Sequence, residues 1–559
     1  MTFSKITLEH LSKKDKKRSS EIIYQVYPSS FNDSNGDGVG DLAGITEKLD
    51  YIKSLNVDSI WISPFFLSPE GQEGDGGYAV TNYCEIDPRF GTLSDFETLL
   101  SEAHKRDLRI YTDFVLAHTA WDHEWFIKSR KRDPEYDYFY VWADGYEDHH
   151  GNKIPPNNWK SIFGGDAWTY DTERQQWYMH HFLTSQPCLN SNEKKVQEKM
   201  LEQMRFWLDL GIDGLRIDAL PFTNFDPELR NNPPLHVIGR QDLWEDQLFE
   251  YSMCQSSTID YVTRIRKLMD SYATEKTTIG EVVWGREGGK YSVREASKYT
   301  DRYSGLSMCY TGAFVQFTTY PKSIGLQKLI TSAESLFPTG GYCNALSNHD
   351  FSRASDRILT EIPNHLHQQA LKQLLLISIF MPGSICLYQG EELGLPQAKI
   401  PDDIPLDKLK DAVAITKGLS HCRDGSRTPM PWDKSLENAG FSTSTTPYLP
   451  VPESHLSLCV SDQENDPNSL LNFTRQTIEW QSQMPALKKG NALTIPTKAP
   501  LLIILRYTAE QKIFGIFNLS EDEMTVDLSL FVDDEILSTV TDQDYCDIKL
   551  KAYETKVIQ

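Results

Sequence analysis

The stretch G-I-D-G-L-R-I-D-A, Gly211 to Ala219, decides how the chain is read. Gly211 and Gly214 punctuate its start, and Leu215 and Ile217 then alternate with Arg216 and Asp218 in the two-residue period of a strand. Side chains two apart on a strand share a face. Arg216 and Asp218 therefore project together, with Leu215 and Ile217 against the opposite layer. A guanidinium beside a carboxylate favours the ionised form, and a fixed, ionised carboxylate at a strand end is what a nucleophile needs. A purely structural ion pair would look the same on this stretch alone.

Working outward, apolar strand-like runs recur at Ile22–Pro28, Ser59–Pro64, Arg109–Leu116, Gly214–Ala219, Thr277–Val282, a weaker Leu306–Tyr310, Ala345–Asp350 and Ser384–Gly390. Helical periodicity separates them at Ile45–Leu55, Leu93–Lys105 and Val196–Leu210. Strands alternating with helices indicate parallel α/β construction, and eight such strands predict a (β/α)8 TIM barrel. The rhythm is lost between Thr119 and Asn190, a Trp-, Tyr-, Gly- and Pro-rich segment that reads as a small domain inserted after strand three. A second long loop spans Pro396–Pro450. From Ala492 onward short alternating runs (L-L-I-I-L-R-Y, K-I-F-G-I-F-N-L, T-V-D-L-S-L) predict an antiparallel β-domain. The expected division is a barrel of residues 1–118 and 191–491, an insert of 119–190 and a C-terminal β-sandwich of 492–559.

Apolar residues make up 39% of the 559-residue chain, enough for large cores. Acidic residues outnumber basic ones 79 to 56, a net charge of −23, which argues against nucleic acid or an anionic membrane surface as partner. The nine cysteines contain no C-x-x-C pair and point to reduced thiols in the cytoplasm. Leu371 to Tyr388 is the most apolar run, but Pro382-Gly383 breaks it into a buried helix and a strand, so no membrane span is expected. The K-K-D-K-K-R segment, Lys13 to Arg18, reads as a solvated tail.

Active sites of such barrels lie at the C-terminal ends of the strands. The polar residues there are Asp113 and His118 (D-F-V-L-A-H), Arg216 and Asp218, Glu281, and His349 with Asp350 (S-N-H-D); Asp75 and Tyr78 (D-G-G-Y) follow strand two. No H-E-x-x-H, G-x-S-x-G or G-K-[ST] motif competes. So dense a set of carboxylates without Cys ligands suits either a divalent metal or glycosyl chemistry. The loop D-S-N-G-D-G-V-G-D, Asp33 to Asp41, places oxygens of Asp33, Asn35, Asp37 and Asp41 at positions 1, 3, 5 and 9, with the Val39 carbonyl available between them. That spacing is calcium-loop-like, but Gly44 at position 12 excludes an EF-hand.

Y-Q-V-Y-P-S-S-F, the Asp33 loop, D-x-x-x-x-H, G-x-R-x-D, G-E-V, S-N-H-D and R-T-P-M-P-W-D follow one another in an order that resembles the α-amylase superfamily of glycoside hydrolases, in its α-glucosidase and oligo-1,6-glucosidase branch. The resemblance implies that Asp218 is the nucleophile, Glu281 the acid/base and Asp350 the third carboxylate, which holds the sugar's hydroxyls. It implies that Asp75, Tyr78, His118 and His349 bind the non-reducing glucose and that Arg216 pairs with the nucleophile, keeping its pKa low. Arg427 is expected to close the pocket by pairing with Asp75, and Phe163 to line the wall from the insert. A structural Ca²⁺ or Mg²⁺ in the Asp33–Asp41 loop is also implied, with no organic cofactor. The implied activity is retaining, exo-acting hydrolysis of α-linked glucose from short neutral oligosaccharides such as maltose, by a monomer or homodimer. Ala219, after the nucleophile, goes with α-1,4 cleavage, whereas Val there goes with α-1,6. Ala117 stands where most members have Asn, and Ala79 and Asn82 where they have Asp. A transglucosylase, a sugar isomerase, a sucrose hydrolase and a non-catalytic transporter subunit are the alternatives; the last lacks the catalytic carboxylates that this chain carries.

Overall fold

The computed structural model describes residues 5–11, 17–234, 247–285, 292–406, 409–540 and 545–559. Eight parallel strands close a barrel: β1 (Ile22–Val26), β2 (Ser59–Ile62), β3 (Arg109–Val115), β4 (Gly214–Asp218), β5 (Thr277–Val282), β6 (Met308–Thr311), β7 (Tyr342–Ala345) and β8 (Ser384–Tyr388), with β8 pairing back to β1. Closure leaves no edge, so the strands are covered on both faces and carry nearly unbroken apolar runs. Alternation assigns the two faces. Leu215 and Ile217 join the large core between strands and helices, whereas Ile23, Trp61, Tyr111, Ile279 and Tyr310 fill the barrel interior. Arg216 stands opposite Asp113 in the β3–β4 register, so the two side chains share the interior.

The expected helix over Ile45–Leu55 is two short ones, Leu42–Glu47 and Leu49–Ser54, broken at Lys48. Leu93–Lys105 is as predicted, with Thr92 and Asp95 forming a capping box at its start. The seventh strand lies earlier than the sequence suggested. It ends at Ala345, and S-N-H-D occupies the loop beyond, where the Asn348 side-chain Oδ1 accepts from the Asp350 and Phe351 amides. The end of the basic tail is not solvated either: Lys17 pairs with Glu334 at 2.6 Å and Arg18 donates to the Ser307 carbonyl at 2.7 Å. Lys13 to Lys16 lie outside the described residues.

Within 119–190 the chain forms the helix Glu124–Arg130 and a three-stranded antiparallel sheet of Trp142–Ala143, Gln176–Met179 and Trp168–Asp171. At the C-terminal end, Asn491–Ile495, Leu501–Tyr507, Lys512–Asn518 and Thr555–Ile558 make a four-stranded antiparallel sheet. Leu502 and Ile504 face the barrel's helices, while Ile503 and Leu505 face a second small core covered by a two-stranded ribbon and the short helix Asp534–Leu537. Arg506 clamps sheet to barrel. Fully buried, it donates to the carbonyls of Met381 (2.7 Å), Leu487 (2.8 Å) and Gly490 (3.1 Å), acceptors at or just past the C-termini of two helices. Ile6, near the start of the chain, packs into the same small core and exchanges backbone hydrogen bonds with Phe531 and Asp533.

Candidate active site

The C-terminal ends of the strands surround a cavity of about 640 Å³. Asp218, Glu281 and Asp350 reach it from the ends of β4 and β5 and the loop after β7, with Asp75, Tyr78, His118 and Phe163 on its walls. Arg216 lies beneath, with no exposed surface, its guanidinium 4.7 Å from the Trp61 ring centre. Its Nη1 donates to Asp218 Oδ1 (2.6 Å) and to both oxygens of Asp113 (2.9 and 3.1 Å), and its Nη2 lies 3.0 Å from Glu281 Oε1. One cation thus serves three buried carboxyl groups.

Burial raises all three, against the pull of Arg216: Asp113 to about 6, Asp218 to about 7 and Glu281 to about 8. For Glu281 burial is the largest cause, and the charges of Asp218 and Asp350 add to it. Arg216 lowers the Asp218 pKa, as the pairing implied, yet the net shift is upward. The guanidinium opposes the shift but is shared three ways, and burial outweighs its portion. Glu281 Oε2 also accepts from the Ala219 amide at 2.9 Å. Ala219 makes that bond from a left-handed backbone, φ 44° and ψ 38°, which turns the chain sharply after Asp218.

Asp350 is ionised. Burial opposes this, but Arg423 Nη1 (2.8 Å) and Arg427 Nη2 (3.1 Å) bond its Oδ1 and pull its pKa well below the carboxylate range. The His349 ring, neutral because burial takes its pKa down to about 3, has its Nε2 3.2 Å from Asp350 Oδ2. Its tautomer follows from its partners. Gln25 Nε2 donates to Nδ1 (2.7 Å), so Nε2 carries the hydrogen toward Tyr78 Oη (2.7 Å), which in turn donates to Asp113 Oδ2 (3.0 Å). Tyr78 and His349 stack with ring centres 5.3 Å apart. His118, neutral because burial lowers its pKa to about 4, donates Nε2–H to the Tyr78 carbonyl (3.0 Å). Its buried Nδ1 has no partner among the described residues and remains an acceptor.

The predicted Arg427–Asp75 pair is replaced by another. Asp75 Oδ1 accepts from Arg423 Nη2 at 2.7 Å, and Arg423 also bonds Asp350 (2.8 Å) and Asp411 (2.7 and 2.9 Å). Arg427 is directed to Asp350 and to the His349 carbonyl. Arg423 opens the R-D-G-S-R segment four residues before Arg427, and nothing in that spacing distinguishes which one reaches Asp75. Phe163 lies on the cavity wall as expected, its ring centre 5.2 Å from the Arg423 guanidinium. Asp75 has a left-handed backbone (φ 45°), and a Cβ on the following Gly76 would meet Tyr27 Oη at 2.5 Å, so the D-G-G-Y turn needs its glycine.

The Asp33–Asp41 loop lies elsewhere in the fold and is closed by its own amides. Asp33 accepts from the Asn35, Gly36 and Gly38 amides and from Ser442 Oγ, while Asp41 caps the helix at Leu42 and holds Ser34. The Asn35 and Asp37 side chains each accept an amide two residues on. Among the described residues no three His, Cys, Asp or Glu side chains are gathered as a metal site.

A closed parallel barrel whose mouth holds a protonated Glu and an Asp bound to Arg, walled by neutral histidines and by carboxylates paired to Arg423, defines a glycosidase that works with carboxyl groups. Known proteins agree. The profile of the alpha amylase catalytic domain matches residues 25–490. A probable alpha-glucosidase of Rhizobium meliloti (strain 1021) is 40% identical over 91% of this chain and 90% of its own length. An oligo-1,6-glucosidase of Parageobacillus thermoglucosidasius is 32% identical over 96% and 97%. Among solved structures, the alpha-glucosyl transfer enzyme XgtA superposes with a TM-score of 0.86 at 36% identity, over 98% of this chain and 99% of that one. The chain belongs to the α-amylase family of glycoside hydrolases.

Proposed function

We propose that the protein is a retaining, exo-acting α-glucosidase that removes terminal α-linked glucose, α-1,4-linked as in maltose, from short oligosaccharides. The observation that carries this reading is the Arg216 cluster, in which Asp218 bonds the guanidinium at 2.6 Å and Glu281, raised by burial, lies 3.0 Å from it with its other oxygen held by the Ala219 amide. Glu281 gives its proton to the glycosidic oxygen as Asp218 attacks the anomeric carbon from the opposite face. Departure of the aglycone leaves glucose esterified to Asp218. Glu281, now ionised, takes a proton from water, which attacks the same carbon and releases glucose with its α-configuration retained. Asp350 and neutral His349 and His118 meet the sugar's hydroxyls, while Asp75 and Arg423 close the far end, which supports attack on chain termini.

Release of α-glucose from maltose, lost in Asp218→Asn and absent on starch, tests the reading. Equal or better activity on isomaltose or sucrose would overturn the linkage and leave the mechanism. The structural relative that transfers glucosyl groups keeps transfer to a second sugar as the competing outcome, and the product ratio at high maltose decides between them. The all-oxygen donors of the Asp33–Asp41 loop support a structural Ca²⁺ or Mg²⁺ there. Calorimetric titration of each cation into native protein and Asp37→Ala checks it. The nine cysteines, with no C-x-x-C pair among them, support a reducing, cytoplasmic setting. Among the described residues no helix is long and apolar enough to cross a membrane.

A further inference from the structure

The insert reaches the closed end of the cavity, beside Asp75, through a buried glutamine. Gln186 is fully buried, and its Nε2 donates to Asp75 Oδ2 at 3.1 Å, the oxygen that Arg423 leaves open. The side-chain amide is held in this orientation because its Oε1 accepts from the Leu183 amide (2.9 Å), and the Gln186 backbone N–H bonds the Leu183 carbonyl (3.0 Å). Flanking bonds anchor this turn: Ser185 Oγ to the Glu73 carbonyl (3.3 Å), the Trp121 amide to the Ser185 carbonyl (2.9 Å) and the Thr119 amide to the Pro187 carbonyl (3.3 Å). On the opposite side Asp411, also buried, grips Arg423 through Nε, Nη2 and the backbone amide.

Asp75 therefore has a fixed neutral donor on one oxygen and a fixed cation on the other. We infer that Gln186 is a positioning residue for the glucosidase reaction, holding Asp75 in the orientation that receives the non-reducing end of the substrate. The inference rests on the α-glucosidase reading above. It deepens that reading by assigning the insert a part in substrate binding beyond the wall made by Phe163. An amide suits the position where a carboxylate would not. Two carboxylates at this distance in a buried site cannot both ionise. The charged groups bearing on Asp75 are Arg423, Arg427 and Asp411, and burial already raises its pKa against the two arginines.

The test is Gln186→Glu, which keeps the shape and the Leu183 contact, with Gln186→Met as an uncharged companion. The kcat/KM ratio of variant to native for 4-nitrophenyl α-D-glucoside is followed across pH, with thermal midpoints taken at each pH. For Gln186→Glu the ratio stays near native below about pH 5, where the pair shares a proton, and falls about tenfold or more above about pH 7, chiefly through KM. For Gln186→Met the ratio is lower and flat with pH, again through KM. A pH-flat Gln186→Glu ratio, or variants that lose thermal stability while KM stays native, would overturn the inference and leave a purely structural Gln186. Should Gln186→Glu not fold, the KM-against-kcat split of Gln186→Met decides alone. Native protein that cleaves no α-glucoside refutes the functional reading and this inference together; active native protein with unresponsive variants refutes only the inference.

Discussion

Replacing Arg216 by Met removes the one cation that Asp113, Asp218 and Glu281 share. At an effective dielectric of about 20, two unit charges about 4 Å apart interact by about 4 kcal/mol, or about three pKa units. Asp218 bonds Arg216 at 2.6 Å and stands at about 7 with the guanidinium in place. Without it, the pKa rises beyond the working range and roughly one molecule in a thousand keeps an ionised Asp218 at neutral pH. The signs run in one direction. Asp218 acts ionised, so the rate falls as pH drops through its pKa; Glu281 acts protonated, so the rate falls as pH rises through about 8. Both limbs of the kcat/KM profile move to higher pH in Arg216→Met, and kcat/KM at neutral pH drops about a thousandfold. Arg216→Lys keeps a charge but not the fork that reaches three groups, and falls between. The carboxyl groups of the Met variant become neutral, so the protein folds, which a thermal midpoint taken first confirms. A Met variant within about tenfold of native, with unmoved limbs, would refute the shared-cation account.

Three further outcomes follow from the same geometry. Glu281→Gln loses about 10²–10⁴-fold in turnover of maltose but much less on 4-nitrophenyl α-glucoside, whose leaving group needs no proton; equal losses on both would remove Glu281 as the acid. Ala219→Val places a β-branched residue at φ 44°, a strain of about 1–3 kcal/mol. It also disturbs the amide that holds Glu281, so the thermal midpoint and kcat fall together, and a variant as stable and active as native would show that the turn tolerates it. Arg506→Met leaves the Met381, Leu487 and Gly490 carbonyls without their donor and lowers unfolding free energy by at least about 3 kcal/mol in urea titration, with kcat untouched while the protein stays folded.

Much of this was legible in the chain. The alternation around Arg216 and Asp218 placed both inside the barrel because a strand buried on both faces still has a strict period of two. Asp113 joins them through register, visible in sequence only as a polar residue at a strand end. Three things were not legible. The limit of β7 is hidden because L-S-N follows Y-C-N-A without a Gly or Pro breaker, and the Asn348 side chain that holds the turn beyond it acts through contacts the sequence does not show. The choice between Arg423 and Arg427 depends on how one loop folds over the cavity. Gln186 and Asp411 carry no chemistry of their own, so their meaning lies entirely in what they touch.

The pairing of β1 with β8 has a bearing on how the chain is made. The first strand ends at Val26 and its second neighbour begins at Ser384, so at about 5–20 residues per second the ribosome leaves β1 with an open edge for on the order of twenty seconds to a minute. Ile6 waits longer still, because the core that receives it is built from residues between Ile495 and Ile558. Nascent intermediates therefore expose a hydrophobic strand edge that the finished barrel never shows, and they are the species on which chaperones would act.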